Sequence, residues 1–286
     1  MLRSMYSGIS AMKNFQVKLD VIGNNIANVN TYGFKKGRTI FKDLVSQQIA
    51  GASGPTANRG GVNPKQVGLG MQLAAIDTVH TQGSTQPTGR PLDLAISGDG
   101  FFVLGEKNGS TPNPDDLTNL LYTRSGNFYL DAGDNPNNTT NLDNDFRYIV
   151  SADGRYLLGT NNERIGIPKS AQSVSIGSDG TVSYVDSTGA LQIAGKIQLA
   201  KFANNEGLEK VGDNLFRPTA SSGVAIIGDV GANGTGTIVS GALEMSNVDL
   251  AEEFTEMIVA QRGFQANTRI ITTSDEILQE LVNLKK

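Results

Sequence analysis

Residues 5–26 read MYSGISAMKNFQVKLDVIGNNI, and within them Met5, Ile9, Met12, Phe15, Leu19, Ile22 and Ile26 recur every three or four positions. That spacing puts the apolar side chains on one stripe of an α-helix, and a step near 3.5 favours a coiled-coil-like seam over a lone surface helix. The other end of the chain repeats the pattern with Leu250, Phe254, Met257, Phe264, Ile271, Leu278 and Leu281, interrupted by Gln261, Thr268 and Ser274 or Asp275. At 1.5 Å per residue the two helices are expected to run roughly 40 and 50 Å. A globular domain seldom reserves both termini for such rods, whereas a chain that polymerises through them does. All fourteen apolar positions are therefore read as a polymerisation seam.

The two ends differ in charge. Residues 1–50 hold seven basic and two acidic side chains, a net +5, and residues 241–286 hold four basic and eight acidic ones, a net −4. Opposite signs favour pairing of one rod with the other, within a chain or between chains.

Composition excludes several classes of function. A net charge of −4, with no basic patch interleaved with aromatics, gives no reason to expect nucleic acid as a partner. The chain has no cysteine, so disulfides, thiolate metal sites and a cysteine nucleophile are ruled out. His80 is the single histidine and sits in the alternating run Ile76-Asp77-Thr78-Val79-His80, which suggests a strand and a structural role. Neither a cofactor nor a metal site is expected. No apolar run is long enough to span a bilayer, so membrane insertion is not expected either. The opening residues lack the apolar core of a cleaved secretory signal, so export would take another route.

Between the rods the chain reads as β-structure. The first rod should stop near Asn28-Val29-Asn30, with Gly33 turning the chain and Phe34 anchoring it. Residues 46–70 are rich in Gly, Ala, Ser, Asn and Gln, with Pro55 and Pro64 among them, which reads as a flexible loop or an extended arm between neighbouring molecules. From residue 71 short strands follow one another, with Asp99-Gly100, Asp153-Gly154 and Asp179-Gly180 suited to type I′ hairpin turns. The Asp/Asn-rich run 131–145 fails the pattern of a calcium loop. Gly228, Gly231, Gly234 and Gly236 read as a flexible return to the second rod, which Asp249 would cap, with Glu252 completing a capping box. The expected fold is α+β. Residues 1–33 and 245–286 form a paired helical polymerisation domain, 34–70 an extended connecting segment, and 71–244 an antiparallel β domain.

Several stretches carry a family resemblance. Asp20-Val21-Ile22-Gly23-Asn24-Asn25-Ile26-Ala27-Asn28, followed by Thr31-Tyr32-Gly33-Phe34-Lys35, resembles the N-terminal signature of bacterial flagellar axial proteins, the rod and hook family. Gly241-Ala242-Leu243-Glu244-Met245-Ser246-Asn247-Val248-Asp249-Leu250, then Met257 to Arg262, looks like the matching end. Thr88 to Ile96, Tyr122 to Phe128 and Gly207 to Asn214 resemble internal motifs of the same family. Asn24, Asn25, Asn28, Gly33, Phe34 and Lys35 are the signature positions. Within the family the C-terminal run looks most like the compact hook members, without a large outer domain, and the distal rod members are the close rival. The resemblance implies a tubular homopolymer that transmits torque, with helices lining a channel and the β domain outside. It also implies contacts with other axial proteins (rod, hook cap and hook-filament junction), and export through the flagellar type III apparatus to the outside of the cell.

Two other classes fit the residues less well. An extracellular hydrolase would need paired carboxylates or a nucleophile and base, and Asp115-Asp116 lie in a Pro/Asn loop that reads as solvated. A carbohydrate-binding β module would want exposed clustered aromatics. Tyr122, Phe128, Tyr129, Tyr148 and Tyr156 fall instead on positions that strand alternation sends mostly inward.

Overall fold

The computed structural model describes residues 2–55, 59–107, 117–132 and 146–284. Asp115-Asp116, and the run 131–145 from residue 133 onward, lie outside the described residues. The chain forms two compact units. One comprises the terminal stretches up to Ala27 and from Val248, together with Lys36–Val79, and the other comprises Asn28–Lys35 and His80–Asn247.

In the first unit, α1 (Leu2–Ala27) and α2 (Leu250–Asn283) pair with each other. The α1 helix stops before Asn28, and Gly33, with a φ of +69°, turns the chain, both as expected. Glycine has no Cβ to clash in that conformation. Asp249 caps α2 by accepting from the backbone N–H groups of Ala251, at 2.8 Å, and Glu252, at 3.4 Å. The Glu252 side chain engages Lys36 at 2.7 Å, in place of the expected capping box.

Between the helices the connecting segment folds as a ribbon. The strands β1 (Gly37–Asp43) and β4 (Met71–Thr78) pair antiparallel with a bulge between Ile40 and Phe41, and β2 (Ser46–Ala50) pairs with β3 (Lys65–Gly68) beyond them. Leu44 N–H donates to the Gly70 carbonyl at 2.8 Å, and a Ser53–Val62 bridge carries the pairing toward the tip. This corrects two expectations. Residues 34–70 are not a plain extended connector, and Met71–Thr78 does not open the β domain. The polar, glycine-rich composition hid the strands because a two-stranded ribbon satisfies its backbone groups by mutual pairing, without a core face to mark it in sequence.

The second unit is antiparallel throughout. Strands β5 (Thr85–Pro87), β6 (Leu94–Ser97), β7 (Phe101–Lys107), β8 (Leu117–Thr123), β9 (Tyr129–Leu130), β10 (Phe146–Val150), β11 (Tyr156–Leu157) and β12 (Gly166–Pro168) come first. They are followed by β13 (Ser173–Ile176), β14 (Thr181–Val185), β15 (Leu191–Lys196), β16 (Gln198–Lys201), β17 (Glu209–Gly212), β18 (Leu215–Arg217), β19 (Ile226–Asp229), β20 (Thr237–Ser240) and β21 (Ala242–Glu244). The main sheet runs β12-β10-β11-β7-β8-β18-β17, with β16 joining β7 to β19. A second sheet is β13-β14-β15, while β20 pairs β6 and β21 pairs β5.

Alternation along β7 shows why this sheet is central. Phe102 and Leu104 enter one apolar cluster with Leu94, Ile96, Phe128, Ile197 and Leu199, while Phe101 and Val103 enter another with Tyr122, Phe202 and Phe216. Both faces of the strand are therefore buried.

The Asp-Gly turns differ from the expected type. Positive φ falls on Gly154 and Gly180 but not on the preceding aspartates. Gly154 N–H donates to Ser151 and Ser151 N–H to Arg155, the pattern of a three-residue loop closed by a left-handed glycine. The glycine run near 228–236 is not a loose return. Gly236 N–H donates to the Asp99 carbonyl at 2.6 Å, and a Cβ on Gly236 would lie 2.2 Å from the Ser97 carbonyl oxygen.

Candidate functional site

The fourteen seam positions divide into two sets. Met5, Met12, Phe15, Leu19, Ile26, Met257, Phe264, Ile271 and Leu278 are half-buried, and Ile22 is buried. Ile9, Leu250, Phe254 and Leu281 lie on the surface, with Phe254 and Leu281 each 50% exposed. Several helix–helix contacts join seam residues to residues that the apolar pattern skipped. Gly8 faces Ile271, and a Cβ on Gly263 would sit 2.7 Å from the Phe15 ring. The Thr268 hydroxyl meets Met12 Sδ at 3.3 Å, and Lys18 pairs with Glu256. Gly263 leaves room for the Phe15 ring, while a Cβ on Gly8 would make only ordinary contact with Ile271, at 3.5 Å; Gly8, buried on α1, faces the partner helix where Ile9 does not.

A buried polar contact closes one end of this helix pair. Asn25, 1% exposed, donates to Glu253 at 3.1 Å and exchanges two 2.9 Å hydrogen bonds with the backbone of Gly37. Burial holds the Glu253 carboxyl above its usual pKa, and the Asn25 hydrogen bond opposes that shift. Away from the pair, α2 presents Leu250, Phe254 and Ile258 along one side and Val259, Ile270, Ile277 and Leu281 along another, all exposed. At 100° per residue these form two stripes flanking the covered one. On α1, Tyr6 is 70% exposed.

The signature residues Asn28, Gly33, Phe34 and Lys35 lie in the second unit. Lys35 Nζ is fully buried, 2.6 Å from Glu244 Oε1 and 2.7 Å from the Thr81 carbonyl. Arg124 Nη1 reaches Glu244 Oε2 at 3.2 Å, and Nη2 donates to the Gly98 carbonyl at 2.8 Å. Gly83 N–H also donates to Glu244 Oε1, and Gly33 N–H to the Glu244 backbone carbonyl. A Cβ on Gly33 would lie 2.6 Å from Ser125 N, so only glycine fits. Phe34 is buried beneath Lys210, whose Nζ lies 5.2 Å from the ring centroid and donates to the Lys35 carbonyl. Asn28 accepts from the Thr31 hydroxyl, while Asn24 is on the surface.

His80 completes the cluster, packed against Phe101 and Phe216 at ring-centroid distances of 5.5 and 5.4 Å. Burial, then Lys35, Arg124 and Lys210, push its pKa down to about 4, so the ring is neutral at pH 7. Burial lowers Lys35 as well, against the pull of Glu244, and it lowers Lys210. Sequence reasoning missed Glu244, Arg124 and Lys210 as partners of Lys35, although each lies inside one of the quoted motifs. Motifs spread along the chain thus converge on one buried ion cluster. Its charges are engaged with one another and with backbone, which suits holding structure together rather than turning over a substrate. Among the described residues no group of three or more His, Asp or Glu is placed to hold a metal.

Three family models match this chain: Flagella basal body rod protein over residues 5–35, Flagellar hook protein FlgE/F/G D1 domain over 95–184, and Flagellar basal body rod FlgEFG protein C-terminal over 239–284. The flagellar basal-body rod protein FlgG of Bacillus subtilis is 58% identical over 287 positions, covering all of both chains. FlgG of Caulobacter vibrioides is 38% identical, covering 99% of this chain and 98% of its own. The flagellar hook protein FlgE of Borreliella burgdorferi is 35% identical, and that alignment needs 442 positions to cover both chains. Of the two expected readings within the family, the distal rod alternative is therefore better supported than the hook. The Bacillus subtilis rod relative matches over the full length of both chains with almost no length difference and at higher identity than the hook relative. Signature motifs, a helix pair joined to an antiparallel β unit, and full-length relatives agree: this chain belongs to the flagellar rod and hook axial protein family.

Proposed function

We propose that this chain is a distal rod subunit of the flagellar basal body, a mechanical element that self-assembles into a helical tube and carries torque from the motor side toward the hook. The observation that carries this reading is the full-length match to a rod relative, 58% identical over 287 positions for a chain of 286. The apolar stripes on α2 supply the physical support. Side chains as large as Phe254, Ile258, Ile270 and Ile277 stand uncovered on a helix that has already used one face for α1. Burying each such side chain against a neighbouring subunit is worth about 1.5–3 kcal/mol. On this reading the covered stripe holds the pair together, and Leu250, Phe254 and Leu281 act between subunits.

The β2–β3 hairpin fits the same role. All of its residues in the paired strands are exposed, and its outer edges carry backbone groups free to meet adjacent subunits. The partners under this proposal are further copies of this chain, then other rod and hook components. Export uses the flagellar type III apparatus and places the protein outside the cytoplasmic membrane. No enzymatic step is assigned.

Electron microscopy of basal bodies from cells lacking the gene tests the proposal. Structures that end before the distal rod, with no hook, support it. An intact rod lacking only the hook would return the hook reading to first place.

A further inference from the structure

The apolar side of the α1–α2 seam cannot specify how the helices align. On α2, Met257, Phe264, Ile271 and Leu278 repeat at intervals of seven, and on α1 so do Met5, Met12, Leu19 and Ile26. Sliding one helix past the other by a heptad therefore lays large apolar residues against large apolar residues again. The flanking series carries the information instead. On α2 it reads Glu253, Ala260, Asn267 and Ser274, and on α1 Gly8, Phe15 and Ile22. The observed contacts (Gly8 with Ile271, Met12 with Thr268, Phe15 with Gly263, Asn25 with Glu253) run in opposite directions along the two helices and define one antiparallel register.

We infer that Asn25 and Glu253, with Gly263 as a steric key, select this register from its heptad-shifted alternatives and so determine the geometry each subunit brings to assembly. Asn25 is suited to the task because the Gly37 backbone fixes its amide on both sides. The amide can therefore offer a donor to Glu253 at only one place. A shift of one heptad along α2 would remove Glu253 from that donor and set Ala260 there. The buried amide and carboxylate would each lose a partner, and Phe15 would lose the glycine it packs on. A single buried polar pair fixing the alignment of otherwise repetitive helices is a physically efficient device, since apolar burial alone is degenerate. Asn25 and Glu253 are positioning residues on this account.

The absence of cysteine makes the test direct. Three double-cysteine variants of the full-length chain, M12C/T268C, M12C/Q261C and M12C/D275C, are oxidised at the concentration at which the chain assembles, and intramolecular disulfides are scored by mass. The first reports the observed register and the others its one-heptad shifts. In the otherwise unaltered chain the first should form at least about tenfold faster. In the N25L/E253L background that preference should fall to about twofold or less while helix content is retained, because the leucines keep the seam apolar without the address. E253Q with Asn25 intact, which still accepts from it, should keep the preference, and N25L alone should lose it. Equal rates in the unaltered chain, or an unchanged preference in N25L/E253L, would overturn the inference.

Discussion

The two units of this chain treat their apolar residues in opposite ways. In the β unit, Leu94, Ile96, Phe102, Leu157, Ile197 and Leu199 all reach 0% exposure. In the helical unit only Ile22 and Ala260 are buried apolar residues among those described, and large side chains line the outside of α2. A unit of the first kind has completed its core. On the proposed function, a unit of the second kind has a core that neighbouring subunits finish, because ordering sixty helical residues costs more than one thin seam returns. Under the proposed function a division of labour follows: the β unit is a prefabricated block, and the helices gain their full stability where subunits meet.

The largest expected effect strikes the helical unit alone. Ile22→Asp or Leu278→Asp places a charge on a covered seam, and the cost of several kcal/mol should reduce tube formation by at least about 100-fold. The β unit should keep its denaturation midpoint in both variants. Normal tubes, seen by sedimentation and electron microscopy, would show that the seam is misplaced.

The β unit should break through its ion cluster. Glu244→Ala leaves Lys35 and Arg124 without their buried carboxylate, a loss of about 3–5 kcal/mol in urea denaturation. A loss below about 1 kcal/mol would mean that backbone acceptors hold the two cations unaided.

A smaller effect comes from pH. His80 is neutral in the folded unit, with a pKa of about 4 against 6.5 when unfolded. The unfolded chain therefore binds more protons between these values. Its contribution is complete above pH 6.5 and is lost progressively down to about pH 4, amounting to about 3 kcal/mol. His80→Phe should flatten that part of the stability profile relative to the unaltered chain, measured as the difference between the two curves. Parallel curves would place the acid sensitivity elsewhere.

The smallest effect on folding belongs to the ribbon tip. Replacing residues 46–68 by a two-residue Asn-Gly turn should change β-unit stability by less than about 0.5 kcal/mol, since β1 and β4 can close as a tight hairpin. The stiffness of the tube should change, as judged from its bending in micrographs. Unaltered stiffness would make the hairpin a passive linker.

These contrasts also explain what the sequence made legible. Both helices and the antiparallel β middle were readable because their signals are local: a 3.5-residue apolar step, an Asp249 cap, and short strands between glycine turns. The ribbon was not, because Ser46–Ala50 and Lys65–Gly68 bury nothing and show no alternation. The helix contact face was read one position off at Ile9, since a pattern built from large apolar residues passes over Gly8, Ala260 and Gly263. At the ion cluster Lys35 could be named from its motif, but its carboxylate lies 209 residues away. Only the fold brings Glu244, Arg124 and Lys210 to it.

Amide hydrogen exchange of the full-length chain, compared between dilute monomer and assembled tube, tests the central claim most directly. The account predicts that Phe101–Lys107 and Gln198–Lys201 are strongly protected in both states. Amides of Leu2–Ala27 and Leu250–Asn283 should exchange readily in the monomer and gain at least about 100-fold protection in the tube. Helices as protected in dilute monomer as in the tube would contradict it.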